Sequence, residues 1–533
     1  MTHSQDTAGW DQEVDVLVAG SGIGGLGTAV IAASHGAEVA VVEKAATIGG
    51  TTAKSAAYMW IPNNRFLRAS GRTDPRPEAL RYMARLSRPR LYDPDSPTLG
   101  LPAWEYRGIA AFYDHASEAA ETYERLGVLE FGHAADFPDY YAHIQEDAAP
   151  TGRILFPAES QGGPTGGRVL VDKLAEACER ANVPITVEAR VTRVVLEDGA
   201  VVGAEIEQAG VLRRVRTRRG VVFATGGFTQ DPGLRLQYLD QSYVGGCAAR
   251  TNTGDLLSIA REAGADLVNL NLGMRAPMVL ERLVEDPAGV RGSFMIPGDS
   301  LIVVNRFGRR VVSEKLPYHD FARTFFAWDG QLGTYPNNPL IAIWDEAATR
   351  FGGEGFGNLI PAPGDDPYWV VTADSLADLE QGIAARLDKL RPLTGQAELD
   401  AGFGTALAGT VERWNGMATE GVDHDFGRGS TPIEQGLSAY FGWGDGPNPM
   451  MAPLSGNGPY HATVLGPALI DTAGGPRCEP DGQVLRPDGD PIPGLFAVGN
   501  CAAAPSGEAY WAGGHTIGLI QCSAYLAGRA VAA

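Results

Sequence analysis

The sequence predicts an α/β fold, a parallel-sheet nucleotide-binding domain interrupted by an inserted α+β domain. Three observations carry this prediction. The first is a strand–turn–helix–strand unit near the start, residues 15–52, reading DVLVAGSGIGGLGTAVIAASHGAEVAVVEKAATIGGTT. The second is a pair of short apolar segments far downstream, 221–228 and 495–498, each running into glycine, which read as further strands of the same sheet. The third is a change of pattern from about 275 to 440, where helical stretches alternate with short strands and no nucleotide signature recurs.

The unit at 15–52 is Rossmann-type. Val14, Val16, Leu17 and Val18 form a run of strand length, and Gly20-x-Gly22-x-x-Gly25 follows at once. An Ala-rich helix is expected from about 25 to 35, with Gly36 placed to end it. A second strand, 38–42, stops at Glu43. Each part has a physical role. Gly20 permits the tight turn out of the first strand, Gly22 lets backbone N–H groups approach a pyrophosphate, and Gly25 lets the helix pack close to the sheet. The helix N-terminus offers free N–H donors and partial positive charge to a diphosphate. Glu43 can accept hydrogen bonds from both hydroxyls of an adenosine ribose and would repel a 2′-phosphate. A GxGxxG alone is weak evidence, but here the strand, the helix and the acid fall in their required places. Gly49-Gly50-Thr51-Thr52 lies just beyond and can wrap the far side of the pyrophosphate, which favours FAD over a loosely exchanged nicotinamide.

The next stretch, 53–64, has small residues at Ala53 and at 55–57 that would let the backbone run close to a flat ring; an ordinary packed loop explains them equally well. Residues 75–150 mix helices with turns, and Phe137-Pro138-Asp139-Tyr140-Tyr141 forms a polar-aromatic island. A Gly-rich segment, 162–167, leads into a helix at 169–181, and 185–206 reads as a hairpin about Asp198-Gly199. Thr253-Gly254-Asp255 opens another helix. The expected domain limits are 1–274 for the first part of the nucleotide-binding domain, 275–440 for the insertion and 441–533 for its return. The last strand, 495–498, ends at Gly499-Asn500, and a final helix runs from about 516 to 532. A simple nicotinamide dehydrogenase has no need of this return, whereas a flavoprotein uses its last strand and helix to reach the isoalloxazine.

Composition narrows the function. The chain has 533 residues, enough for two or three domains, and a net charge of −21, which argues against a nucleic-acid or anionic-membrane surface. Five scattered cysteines without a CxxC argue against a disulfide frame or a zinc site and suit a reducing compartment. The first residues, MTHSQDTAGWDQE, lack the marks of a signal peptide, and no apolar run reaches 18 residues. A cytoplasmic protein without a metal is expected.

Taken together, the unit at 15–52, Ala224-Thr225-Gly226-Gly227 and Leu495-Phe496-Ala497-Val498-Gly499-Asn500 resemble the FAD-binding flavoproteins of the fumarate reductase/succinate dehydrogenase type. Within them the chain is most similar to the 3-ketosteroid Δ1-dehydrogenases and relatives acting on smaller cyclic ketones. That narrower resemblance rests on four features. They are Trp60-Ile61-Pro62-Asn63-Asn64; Asn305 with Gly308-Arg309-Arg310, Glu314 and Pro317-Tyr318; Arg413-Trp414-Asn415 with Gly421, Asp423 and Asp425-Phe426-Gly427-Arg428-Gly429; and Tyr510 with Gly513-Gly514-His515-Thr516-Ile517-Gly518. The chain departs from the family at Ala56-Ala57-Tyr58, where glycines are usual, and at His515, where a small residue is usual.

The resemblance implies a Rossmann-type FAD-binding domain with an inserted α+β catalytic domain and the active site between them. It implies removal of an α-proton and a β-hydride from a ring ketone, the hydride going to flavin N5. Tyr318 would be the base, Tyr510 and the Gly514 N–H would hold the ketone oxygen, and Tyr140 would support the base, with Tyr141 as its rival. The implied shell for a non-covalent FAD is Gly20, Gly22, Gly25, Glu43, Lys44, Gly50, Thr51, Thr52, Ser55, Ala57, Val191, Thr225, Gly226, Asn500, Thr516 and Ile517. A phenol with a free pKa near 10 needs help to act as a base, and a second tyrosine could share the charge. The developing enolate needs donors, here a phenol and a backbone N–H. The last helix would turn its positive end to the flavin pyrimidine edge. The partners expected are a cyclic ketone, steroidal or monocyclic, and an external electron acceptor such as a quinone, a dye or oxygen. Two rivals stand beside this reading. A fumarate-type reductase would need a cationic acid and carboxylate clamps, for which Arg428 and His515 are available. A non-catalytic flavin-binding assembly factor or electron-transfer subunit would leave the insertion with Tyr318 unexplained.

Overall fold

The computed structural model describes residues 9–289, 295–353, 358–395, 397–442, 444 and 446–533. Its main sheet has eight strands and is built from distant segments. Gln12–Ala19 lies at the centre, parallel to Val39–Val42 on one side and to Val211–Phe223 on the other. Ile185–Thr186 extends the sheet beyond Val39–Val42, and Pro491–Ala497 adds in parallel beside Val211–Phe223. The hairpin expected about Asp198-Gly199 forms from Ala189–Glu197 and Ala200–Gln208, and Ala200–Gln208 pairs onto the first half of Val211–Phe223. Residues with both faces covered make continuous apolar strands, and Val16, Leu17 and Val18 are fully buried.

Helices cover both faces. Ile23–Ser34, Ala103–Arg125 and His515–Ala532 pack together on one. Asp255–Glu262 packs on the other, where Leu256, Ile259 and Ala260 meet Leu17, Ala19 and Val221. Gly166–Arg180 begins three residues before the expected 169 and packs on Ile23–Ser34. A small antiparallel sheet joins Met59–Trp60, just past the glycine-rich loop, to Ile154–Pro157, which also pairs with Phe131–Ala134.

The inserted sheet has five antiparallel strands, Gly273–Val279, Leu301–Val304, Leu340–Asp345, Val371–Ala373 and Tyr460–Thr472. Helices Leu376–Thr394 and Phe403–Glu420 cover it. Its central strand is Tyr460–Thr472, so the pairing carries this sheet to 472, past the expected limit of 440. That strand is apolar along nearly its whole length because it is covered on both faces, and so lacks the alternation that marks a strand in sequence. Among the described residues no helix is long and apolar enough to cross a membrane.

Candidate active site

A cleft of about 770 Å³ opens at the carboxyl ends of the central parallel strands, where nucleotides bind in such sheets. Gly20 has φ +107°, and a Cβ there would lie 2.4 Å from the Ala224 carbonyl oxygen. A Cβ on Gly25 would lie 1.8 Å from the Gly20 carbonyl oxygen, so the helix approaches the turn only because residue 25 is glycine. Gly22, Gly50, Thr51, Thr52, Val191, Thr225, Gly226 and Asn500 line the same cleft. Thr52 Oγ1 accepts from the Ile23 N–H (3.1 Å), tying the second glycine loop to the first helix. Thr51 Oγ1 accepts from the Ala249 N–H (2.9 Å).

Glu43 lies in the cleft as expected, but its carboxylate already has three protein donors: Ser21 N–H (3.0 Å), Ser21 Oγ–H (2.7 Å) and Ala45 N–H (2.8 Å). A carboxylate has about four lone-pair sites, so these three donors leave Glu43 less room for ribose hydroxyls than an acid without protein partners would have. Lys44 turns its ammonium to Thr253 (2.7 Å) and Asp255 (2.8 Å). Ser55 and Ala57 lie just past the cleft. Ser55 Oγ caps the turn by donating to the Thr52 carbonyl (2.8 Å) and accepting from the Ala57 N–H (3.1 Å). Ala57 is buried with φ +50°, a left-handed backbone that suits the glycine usual in the family. Thr516 donates to Met274 Sδ (3.1 Å), and Ile517 packs against the core in the first turn of the last helix, whose N–H groups have no intrahelical acceptors. The glycine cradle, the acid past the second strand and the two helix N-termini fit FAD.

Three tyrosines from three distant segments form one buried cluster. The Tyr318 ring stands edge-on to Tyr140 (5.7 Å between centroids) and to Tyr510 (5.3 Å). Tyr140 stacks on Tyr510 at 6.2 Å. Tyr141 instead faces His143. Hydroxyl hydrogen bonds join Tyr318 to both partners and Tyr510 to Thr516, and burial raises the pKa of all three phenols. Gly514 ends the loop from Tyr510 with φ +83°; a Cβ on it would lie 2.5 Å from the Tyr58 carbonyl carbon. A Cβ on Gly513 would lie 3.4 Å from the Tyr140 hydroxyl. His515 begins the last helix, buried, with its ring 5.0 Å from Tyr510 and 4.4 Å from Trp511. Burial pushes its pKa down to about 3, so the ring is neutral.

Buried ion networks hold these tyrosines. Arg153, fully buried, pairs with Asp74 (2.7 Å), Asp147 (2.8 Å) and Asp139, and Trp60 Nε1–H donates to Asp139 (2.8 Å). Three carboxylates share that one guanidinium, and burial raises Asp139 above the usual acid range. The residue after Asp139 is Tyr140. Arg310 binds Glu314 (2.7 and 2.8 Å) and Asp423 (3.1 and 2.8 Å), and Arg428 binds Glu314 (3.2 Å). Tyr318 follows Glu314 by four residues and opens the helix Tyr318–Phe321. His319 Nε2–H donates to the Glu508 carbonyl (3.0 Å), which ties this helix to the loop that carries Tyr510.

Residues 15–517 match the FAD binding domain family. The chain belongs to that family. It is therefore an FAD-dependent oxidoreductase, similar over nearly its whole length to enzymes named as dehydrogenases. It is 30% identical to 4-oxocyclohexanecarboxylate 2-dehydrogenase of Sinomonas cyclohexanicum, covering 97% of this chain and 92% of that one. It is 28% identical to 3-oxosteroid 1-dehydrogenase of Mycobacterium tuberculosis, covering 98% of each. In fold it is similar to 3-ketosteroid delta1-dehydrogenase from Sterolibacterium denitrificans, solved in complex with 1,4-androstadiene-3,17-dione. That likeness has a TM-score of 0.82 at 24% identity and covers 98% of this chain and 99% of that one.

In this flavoprotein Arg428 is taken by the fold. It is buried, pairs with Glu314 and donates to the carbonyls of Leu301 (2.7 Å), Gly298 (3.2 Å) and Asp299 (3.1 Å). With His515 neutral as well, the cationic acid and clamps of a fumarate-type reductase have no source in the two residues considered for them. Sequence reasoning missed Arg153, Asp74 and Asp147, because buried ion partners carry no local signature. It also missed Asn252 and Asp471, which line the cleft. Asn252 had a weak signal in its place one residue before Thr253-Gly254-Asp255.

Proposed function

We propose that the protein dehydrogenates a cyclic ketone between its α and β carbons. The single observation that carries this reading is the convergence of Tyr140, Tyr318 and Tyr510 into one hydrogen-bonded cluster beside Gly514, at the junction of the two domains. Bound FAD supplies the hydride acceptor. Tyr318 takes the α-proton. Tyr140, edge-on to Tyr318, is the neighbouring hydroxyl that can turn its O–H to the Tyr318 oxygen once Tyr318 has given up its own proton. Tyr510 O–H and the Gly514 N–H hold the ketone oxygen as it becomes an enolate. His515, packed against Tyr510, is too weak a base to compete for the proton, because burial pushes its pKa down to about 3. The substrate is a steroidal or monocyclic ketone, and the electrons pass on to an external acceptor such as a quinone, a dye or oxygen.

Stopped-flow reduction of the FAD by ketones, without oxygen, tests this reading. Tyr318→Phe keeps the ring and its packing but removes the proton acceptor. It should retain FAD and ketone binding while reduction slows about a hundredfold or more. Tyr510→Phe should weaken ketone binding and slow reduction together, because its donor acts in both ground and transition states. Wild-type rates in Tyr318→Phe would move the base elsewhere.

A further inference from the structure

Asp471 is the last residue but one of the central strand of the inserted sheet and is buried in the lining of the cleft. Five donors converge on its carboxylate, and every one is neutral. Oδ1 accepts from Thr229 Oγ–H (2.8 Å) and the Thr472 N–H (2.9 Å). Oδ2 accepts from Asn252 Nδ2–H (2.9 Å), Asn500 Nδ2–H (3.0 Å) and the Gly227 N–H (3.2 Å). A protonated acid would turn an O–H toward one of these donors, so the geometry suits the ionised form. Burial raises the carboxyl above the usual acid range on balance, and the donors, Asn500 and Thr229 foremost, offset part of that rise.

The consequence lies in the two amides. A carboxylate can only accept, so Asn252 and Asn500 must both give it their NH₂ ends. Asn252 spends its other N–H on Thr51 Oγ1 (3.3 Å), in the glycine loop of the cleft. Each amide then has its oxygen left to offer the cleft. Amide oxygens accept from hydroxyl and imide N–H groups and repel phosphate oxygens, so this wall suits the ribityl chain or the flavin ring edge rather than the pyrophosphate. Close approach is built in: a Cβ on Gly227 would sit 2.4 Å from Asp471 Oδ1, and one on Gly226 would sit 2.4 Å from Asn252 Nδ2.

We propose that Asp471 is a positioning residue for the flavin half of the cofactor, orienting Asn252 and Asn500 oxygen-outward and placing a buried negative charge beside the site. This rests on the FAD reading and goes beyond it, since it joins the inserted sheet to the redox behaviour of the cofactor. A fixed negative charge disfavours the extra negative charge of reduced flavin, so its removal should make the flavin easier to reduce.

The test uses holoenzyme reconstituted with FAD and reads two quantities, the FAD dissociation constant by flavin fluorescence and the midpoint potential by dye equilibration. Asp471→Asn should weaken FAD binding tenfold or more, because one amide must flip. It should also shift the oxidised–reduced equilibrium at least tenfold toward the reduced form, about 30 mV for a two-electron couple. Asn500→Ala should weaken FAD but leave the potential within a few-fold, since the charge stays. A merely structural Asp471 would not separate the two readings in this way. If Asp471→Asn is not recovered folded, Gly227→Ala crowds the Thr472 hydroxyl and the Asp471 carboxylate without removing the charge, and a tenfold loss of FAD affinity with the potential held within a few-fold is expected. Unchanged affinity and potential in the recovered variant overturn the proposal. Wild-type protein that takes up no FAD would instead overturn the cofactor reading itself.

Discussion

At Glu43 one carboxylate that lines the cleft also ties the fold together. It ties Ser21 in the first turn to Ala45 past the second strand, and Ser21 Oγ in turn accepts from the Gly49 N–H (2.9 Å). Glu43→Ala therefore removes a ribose acceptor and loosens both loops of the cradle. A charge-assisted hydrogen bond is worth about 1.5–3 kcal/mol, so FAD should bind roughly ten- to a hundredfold more weakly. Titration of the refolded apoprotein with FAD measures this, and wild-type affinity would remove Glu43 from the ribose site. The acid's place was readable because it follows the second strand of a local unit. Its three protein donors were not, and they compete with any ribose hydroxyl for the same carboxylate. The same limit applies at Tyr140 and Tyr141, adjacent in sequence and alike in chemistry. Only packing sends one ring to Tyr318 and the other to His143.

Among the elements, the segment leading to Tyr318 depends most on tertiary contacts. Its short helix, Tyr318–Phe321, cannot hold a position by its own propensity. Arg310 clamps it through Glu314 and reaches Asp423, 113 residues away in sequence. Arg310→Met would strand the buried Asp423 and leave Glu314 with Arg428 as its remaining cation, and should cost about 3–5 kcal/mol, read as the shift in chemical denaturation midpoint. The same clamp gives a signature in acid. Asp423 falls from 3.8 to about 2 in the fold, through hydrogen bonding and charge attraction to Arg310 that outweigh its burial. A depressed carboxyl stabilises the fold fully above its unfolded pKa and loses that share as pH drops to the folded value. Asp423→Asn should thus lose roughly 2 kcal/mol at neutral pH and converge with wild type between about pH 4 and pH 2. A constant difference across that window would contradict the pairing. The motifs around Arg310, Glu314, Asp423 and Arg428 were visible as chemistry-bearing residues, but nothing in their spacing showed that they bind one another.

For the whole molecule, the cofactor cleft draws on both ends of the chain and on the insertion. Ser21, Glu43, Thr225, Asn252, Asp471 and Asn500 all line it, so FAD should stabilise the entire fold rather than one lobe. A ligand at a hundred times its dissociation constant adds about 2.7 kcal/mol, and removing FAD should lower the melting temperature of the main cooperative transition. Two separated transitions, with only one responding to FAD, would contradict this coupling. The sequence alone determined the nucleotide fold, the cofactor class and the interruption of the domain. Those depend on local patterns: apolar strands, glycines at turns, an acid at a strand end. Tertiary structure alone decided where the inserted sheet ends, since the Tyr460–Thr472 strand is apolar on both faces and is recognised only by its neighbours. It also decided which tyrosine joins the cluster, that Arg428 is spent on Glu314, and that Asp471 gathers two amides at the cleft. Each of these is a pairing between residues tens to hundreds of positions apart, and the energy of such a pairing exists only once the chain has brought the groups together and excluded water from between them.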